Sequence, residues 1–266
     1  MWKKAISSAV FRKVYTSFMS NMDFHVITLF PDQVSAYLRT SMTGRAIESG
    51  AIGLDCINIR DFAHNHYGKI DDTMYGGGTG LLIYCDPVYD AYKSIADKLE
   101  EKPYVVYMSP KGHVFDEKKA VELSKHKDLV VICGHYEGID ARVIDEICDE
   151  EISIGDYILT GGETAAIVVI DAVARLVPGV LPNEEAYMNE SHISGTLEAP
   201  QYTKAPVWHG KDVPEVLKNG NDAAINEYNR IASLVETWDK RPDMLDKLDI
   251  TEEEWKKMLA FKKGLC

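Results

Sequence analysis

The chain has 266 residues, is 45% hydrophobic and 27% charged, and carries a net charge of −13. That is a globular balance with room for one large domain, or a medium and a small one; it excludes a sequence-blind nucleic-acid binder, which needs a broad basic footprint, but not an RNA read in one local pocket. The five cysteines (Cys56, Cys85, Cys133, Cys148, Cys266) are odd in number and form no CxxC or Cys/His cluster, so neither a disulfide framework nor a zinc site is indicated and a reducing cytoplasm fits best.

The first 22 residues hold Lys3, Lys4, Arg12 and Lys13 and no acid. As a secretory signal the stretch is poor, because Arg12 and Lys13 interrupt any apolar core. A transit peptide fits the composition, but the plainer expectation is a disordered basic extension over 1–22, ahead of a natural start at Met22. No apolar run reaches membrane-spanning length.

From residue 23 strand and helix alternate. DFHVITLF reads as a strand, PDQVSAYL as a helix and IGLDCINI as a strand of period two. A long polar loop follows, with His64 and His66. DPVYDAYKSIADKL predicts an amphipathic helix with Asp86 as cap and Pro87 in first position. YVVYMS and LVVICG have the apolar, β-branched character of buried parallel strands, with the helix FDEKKAVELSK between them. The helix IDARVIDEIC, the strand EISIG and the helix GETAAIVVIDAVARL complete an α/β domain over 23–181, a parallel sheet covered on both faces. The last helix is apolar on nearly every side, which implies burial all round. A dimer interface and a central helix in a monomer both satisfy that requirement.

After Pro178-Gly179 the character changes. Residues 182–206 are polar and turn-rich and predict a flexible linker. From Val207 onward only helical patterns are evident, VPEVLKNG, DAAINEYNRIASLVETWDKR, MLDKL and EEEWKKMLAFKK, which predicts a small helical domain over 207–266.

Three glycine-bearing loops follow consecutive strands: Ser109–Gly112, Gly134–Gly138 and Ile154–Gly162. In open parallel sheets ligands bind beyond the carboxyl ends of strands, and glycine lets main chain approach a ligand closely. Any one such loop is an ordinary turn; three in series point to one ligand held by backbone groups, with a flat ring between Tyr or Leu side chains. No GxxxxGK[ST] is present, and MYGGGTGLL fails the dinucleotide spacing because Leu81 stands in sixth position after Gly76 and Gly78. Lys111 is the only basic residue in the three loops besides His135, so a neutral or zwitterionic adenosine-type ligand fits better than a polyphosphate.

GHYEGIDARVID, SIGDYILTGGE, DAVARLVPGVL and LEAPQYTK, in that order, with RDF and IDDTMYGGGTGLL upstream, resemble the bacterial tRNA (guanine-N1)-methyltransferase family TrmD. The likeness runs from about Met22 to the C-terminus. It implies a SPOUT fold with a deep trefoil knot whose loops bind S-adenosylmethionine in a bent shape. It also implies a homodimer with active sites at the interface, acting on N1 of the guanine 3′ of the anticodon, position 37, in the tRNA anticodon stem-loop. The resemblance places the cofactor loop on Gly134, Ile154, Gly155, Asp156, Tyr157, Ile158 and Leu159, with Pro110, Glu137, Gly161 and Gly162 lining the same pocket. Asp156 either orients the cofactor or caps the following turn. The family's arginine falls on Arg175. Its carboxylate, usually an aspartate just before a serine, falls on Glu190 in Asn189-Glu190-Ser191, with Glu198 the alternative. Around the helical domain Arg230, Lys240 and Arg241 supply basic character, with Lys204, Lys211 and Lys218 as further cations and His64 and His66 as candidate RNA contacts. No protein metal site is expected, although the family suggests a magnesium ion. Two other readings stay open: a module that binds S-adenosylmethionine or RNA without turnover, and a SPOUT ribose 2′-O-methyltransferase.

Overall fold

The computed structural model describes residues 21–181 and 190–264. Residues 1–20 of the expected basic extension (1–22), residues 182–189 of the predicted linker, and residues 265–266 lie outside them. Met22 is already the first residue of a strand and is buried, so the boundary drawn after it falls one residue late.

The chain divides into two compact units, 1–184 and 185–266. The first is an α/β unit with seven strands among its described residues: β1 (Met22–Thr28), β2 (Ile52–Asn58), β3 (Asp71–Thr73), β4 (Leu81–Ile83), β5 (Tyr104–Val114), β6 (Asp128–Cys133) and β7 (Glu150–Ser153). Five of them form a parallel sheet of order β2-β1-β6-β5-β7. The other two, β3 and β4, make a small antiparallel pair within the stretch whose polarity predicts a loop. β6 is buried from Leu129 to Cys133, as expected of a central parallel strand with both faces covered.

Helices α1 (Pro31–Leu38), α4 (Glu117–Leu123) and α6 (Glu163–Ala174) pack together; α3 (Cys85–Ala96) packs with α5 (Ala141–Ile147). Helix α2 (Ser41–Glu48) lies against β2. Ile83, Val88, Tyr92, Val130, Ile132, Val143 and Ile147 meet in one buried cluster, each contributing roughly 1.5–3 kcal/mol by leaving water. Asp86 does not cap α3. The N-cap is Tyr84, whose N–H is tied to the Ile70 carbonyl at 2.8 Å, so the helix starts two residues earlier than predicted. Asp86 instead sits in the first turn, where its charge favours the helix dipole. Among the residues of α6, only Thr164, Val168 and Asp171 are exposed. The sheet, α1 and α4 cover the remainder, so the apolar character of α6 does not by itself call for a partner chain.

In the second unit, α7 (Asp222–Lys240), α8 (Pro242–Leu245) and α9 (Glu252–Lys262) surround Ile231, Leu234, Val235, Leu245 and Met258. The start of α9 carries the reciprocal capping box of Thr251 and Glu254. Residues 207–212, read as helical territory, form instead a two-stranded hairpin, β8 (Val207–Trp208) and β9 (Lys211–Asp212). Its turn places His209 and Gly210 at φ 49° and 76°, the pair of positive angles a two-residue hairpin turn requires. From Thr196 the connector is tied to α7: the Ser233 hydroxyl donates to Thr196 Oγ1 at 2.8 Å, and Leu197 N–H donates to Thr237 Oγ1 at 2.9 Å.

Candidate active site

The ends of β5, β6 and β7 lie side by side, and the segments that follow them enclose a cavity of about 340 Å³. The first segment is not the free loop expected. Ser109–Gly112 is a bulge within β5, since both Met108 and His113 face Ile152 of β7. Gly112 permits it, because a Cβ there would lie 2.4 Å from the Glu151 carbonyl carbon.

The second segment turns sharply. Tyr136 has φ 58° and Gly138 φ 113°, and a positive φ in a bulky residue persists only where its surroundings hold it. The Gly138 N–H donates to His135 O and the Glu137 N–H to Leu81 O, which docks the loop on β4. Tyr107 fixes the floor. Its hydroxyl would be 2.6 Å from a Cβ at Gly134 and 3.1 Å from one at Gly138, so both positions are glycine by volume. Burial first, and the nearby Glu151 second, push the Tyr107 phenol up to about 12. It therefore stays a neutral hydrogen-bond donor at any physiological pH.

The third segment leaves β7 at Ser153, whose hydroxyl accepts from the Gly155 N–H at 3.2 Å. Gly155, at φ 141°, runs so close to the Tyr157 ring that a Cβ would lie 2.7 Å from it. The chain then returns over the second segment: Gly162 N–H donates to Gly134 O at 2.8 Å, and His135 bridges Gly161. Tyr157 and Ile158 stand 54% and 78% exposed, an apolar rim at the mouth of the cavity.

Pro110, Gly134, Glu137, Ile154, Gly155, Tyr157, Ile158, Leu159, Gly161 and Gly162 all line this cavity. Asp156 does not; it is exposed and outside the wall. The reading in which it caps the next turn also finds no bond, since its carboxylate accepts from no N–H among the described residues. Arg175 lies elsewhere. It is the C-cap of α6, whose N-cap is Gly162, and twelve helical residues put roughly 18 Å between those ends. Glu190 and Glu198 belong to the second unit. Glu190 O accepts from the Ser194 hydroxyl at 3.3 Å, Glu198 N–H donates to Ser191 Oγ at 3.0 Å, and Glu198 Oε1 accepts from Gln201 at 3.2 Å. Tyr107 and Glu163, central to the local geometry, carry no signal in the sequence. The first sits inside an apolar strand and the second at a helix start.

The charge of the wall selects a ligand type. Lys111 is its one lysine, against Glu137, Asp145 and Glu151. A polyphosphate would be repelled, whereas a cationic sulfonium beside an ammonium fits. The glycine main chain and the cavity size suit a nucleoside with an amino-acid arm. The residues present therefore fit S-adenosylmethionine.

A second recess of about 660 Å³ lies within the helical unit, lined by Tyr202, Lys204, Pro206, Val213, Lys218 and Asn229 among others. The first strand of the nearby hairpin ends with Trp208, 66% exposed, its ring 4.4 Å from that of His209. Most basic residues of this unit are paired: Lys218 with Glu215, Arg230 with Glu254, Lys240 with Glu236 and Arg241 with Asp243. Lys204 and Lys211 form no ion pair among the described residues.

Comparison with known proteins now adds identity. Residues 22–247 match the family model described as tRNA (Guanine-1)-methyltransferase TrmD. The tRNA (guanine-N(1)-)-methyltransferase of Ruminiclostridium cellulolyticum is 50% identical over 227 residues, covering 85% of this chain and 97% of the relative. That of Alkaliphilus oremlandii is 47% identical over 238 residues, covering 88% and 96%. That of Anoxybacillus flavithermus is 44% identical over 243 residues, covering 91% and 99%.

Proposed function

The chain belongs to the tRNA (guanine-1)-methyltransferase family TrmD, and from that premise we propose how its residues methylate tRNA. It is a tRNA (guanine-N1)-methyltransferase that uses S-adenosylmethionine; the target we assign is the guanine 3′ of the anticodon, position 37. The observation that carries the reading is the meeting of the segments after β5, β6 and β7 in one acidic, glycine-walled cavity. Bound there, the cofactor supplies an electrophilic methyl group. Gly134, Ile154 and Gly155 would hold the adenosine by main chain, Tyr157, Ile158 and Leu159 would wall the ring, and Glu137 would offset the cationic charge. The return of the chain over the β6 loop at Gly134–Gly162 supports the knotted threading that the family implies.

Guanine N1 carries a proton at neutral pH, so attack on the methyl group requires its removal. Glu190 is the base in this account, with Glu198 the alternative; a positioned carboxylate contributes roughly 10²–10⁴-fold. Negative charge then gathers on O6, where the Arg175 guanidinium stabilises it. Arg175 caps the far end of α6 from the cavity of its own chain. That separation supports a homodimer in which each cavity is completed by Arg175 from a second copy. Holding N1 in line with the methyl supplies much of the remaining acceleration.

The RNA face we assign to the helical unit, with Lys204 and Lys211 against phosphates and Tyr202 and Trp208 against unstacked bases of the anticodon loop. The basic residues expected there from sequence, Arg230, Lys240 and Arg241, are held by acids and contribute less. Among the described residues no three His, Cys, Asp or Glu side chains converge on a metal position. No described helix is long and apolar enough to cross a membrane; we place the enzyme with its tRNA in the cytoplasm. The test is nucleoside mass spectrometry of a tRNA transcript incubated with enzyme and methyl-labelled cofactor. Label on guanine N1 supports the reading. Label on a ribose supports the 2′-O alternative, and binding without transfer supports the silent module.

A further inference from the structure

We propose that Glu163 is the positioning residue that sets the shape of the cofactor cavity, by clamping three chain segments through one buried carboxylate. The proposal rests on the reading of that cavity as the S-adenosylmethionine pocket. Glu163 opens α6, is 3% exposed, and is not part of the cavity wall. A buried acid without partners is costly, and this one has a specific set. Its Oε1 accepts from the Thr28 hydroxyl at 2.7 Å, at the fully buried end of β1. Thr28 Oγ1 in turn accepts from the Phe30 N–H at 3.0 Å. The Phe30 ring lies 5.2 Å from the ring of His135, and His135 Nδ1 is 4.0 Å from Glu163 Oε2. The chain of contacts thus closes on itself, from the β1–α1 turn through α6 to the loop after β6. The first turn of α6 adds a favourable field for the negative charge.

Two details make the arrangement more than packing. His135 Nδ1 is buried and has no hydrogen-bond partner, a condition folded proteins rarely tolerate. A shift of about 1 Å in the His135 loop would bring it within hydrogen-bond reach of Glu163. The same two groups also fix the path of the overlying loop. A Cβ on Gly161 would lie 2.4 Å from Glu163 Oε2 and 2.6 Å from His135 Nδ1. Ligand binding against Gly134 and Gly161 is therefore coupled to closing the Glu163–His135 gap, and the carboxylate sets cofactor affinity while touching neither methyl nor guanine.

The experiment titrates S-adenosylhomocysteine into the full-length wild type, Glu163→Gln, Glu163→Leu and Thr28→Val by calorimetry, with steady-state kinetics and melting on the same samples. Loss of one or two hydrogen bonds of this kind predicts Kd and cofactor KM raised about 3–30-fold in Glu163→Leu. Glu163→Gln, which still accepts from Thr28, is predicted to fall between Glu163→Leu and wild type. In all variants kcat at saturating cofactor stays within about threefold of wild type, the signature of a lost ground-state positioning contact. Thr28→Val combined with Glu163→Leu is predicted to be less than additive. Wild-type affinity in Glu163→Gln and in Glu163→Leu, with only the melting temperature lowered, would overturn the positioning role. Failure of the wild type itself to bind would instead overturn the pocket reading beneath it. If Glu163→Leu does not fold, Glu163→Gln and Thr28→Val decide the question.

Discussion

Replacing Gly162 by alanine tests how closely the chain folds over itself at the cofactor cavity. Gly162 has φ −78°, so alanine brings no backbone strain there and the effect isolates proximity. The added Cβ would lie 2.9 Å from Cys133 Cα and 3.0 Å from Gly134 N. Both are main-chain atoms, and neither can swing aside as a side-chain tip would. Relief to ordinary contact near 3.5 Å requires the two segments to part by about half an ångström, which stretches the 2.8 Å bond from Gly162 N–H to Gly134 O. Overpacking of this kind costs about 1–3 kcal/mol. If it falls on the bound state, it corresponds to roughly 5- to 150-fold in cofactor Kd. Calorimetric titration with S-adenosylhomocysteine, paired with thermal melting, reads both destinations of that cost. A variant with unchanged Kd and unchanged melting temperature would refute the close approach, and with it the reason glycine stands at this position.

Other outcomes follow from the same geometry. Arg175→Ala is expected to lower kcat about 10²–10³-fold while S-adenosylhomocysteine binds as in the wild type. Mixed dimers of Arg175→Ala with Gly162→Ala, assayed at cofactor concentrations limiting for Gly162→Ala, are expected to exceed the activity of either homodimer, because one composite site is intact. Glu190→Gln is expected to reduce kcat at least about tenfold with little change in cofactor affinity, and Glu198→Gln to leave kcat nearly unchanged; the opposite pattern moves the base to Glu198. Lys204→Ala and Lys211→Ala are each expected to weaken tRNA binding and to reduce the slope of log K against log salt by about 1, measured by filter binding. Asp140 caps α5, and its hydrogen bonds to the Arg142 guanidinium hold its carboxyl well below the usual carboxylate range. A folded-state value lowered in this way stabilises the protein above the unfolded value near 4 and loses that contribution as pH falls through the folded value. Asp140→Ala is therefore expected to cost about 1 kcal/mol at pH 7 and progressively less below about pH 4, in melts compared across pH.

Much of the α/β unit was legible because its physics is local. The unbroken apolar runs at YVVYM and LVVIC have the character of buried parallel strands and form them, whereas the caps Asp116 and Asp140 show only in the structure. The glycine loops pointed to a backbone-lined pocket because glycine recurring after successive strands marks where main chain must turn tightly or come close to a ligand. What stayed hidden was set by distant contacts. The Ser109–Gly112 bulge depends on the approach of Ile152, and the role of Glu163 depends on Thr28, 135 residues away. The β8–β9 hairpin was missed because its turn uses His-Gly in place of the commoner Asn-Gly. For α6 the sequence signal was right and one of its two readings unnecessary, since an all-apolar helix finds its cover within one chain. Asp156, by contrast, was drawn into the cofactor set by its neighbours in the motif and lies outside the cavity wall.

The central claim is transfer of a methyl group from a cofactor in the Gly134–Gly162 cavity to a ring nitrogen of guanine. Digestion of a tRNA transcript after incubation with the purified protein and methyl-labelled S-adenosylmethionine, followed by nucleoside mass spectrometry, tests it most directly. The account predicts 1-methylguanosine from the residue 3′ of the anticodon, abolished when that guanine is replaced by adenine. Label on a ribose, or stoichiometric cofactor binding with no labelled nucleoside, would contradict it.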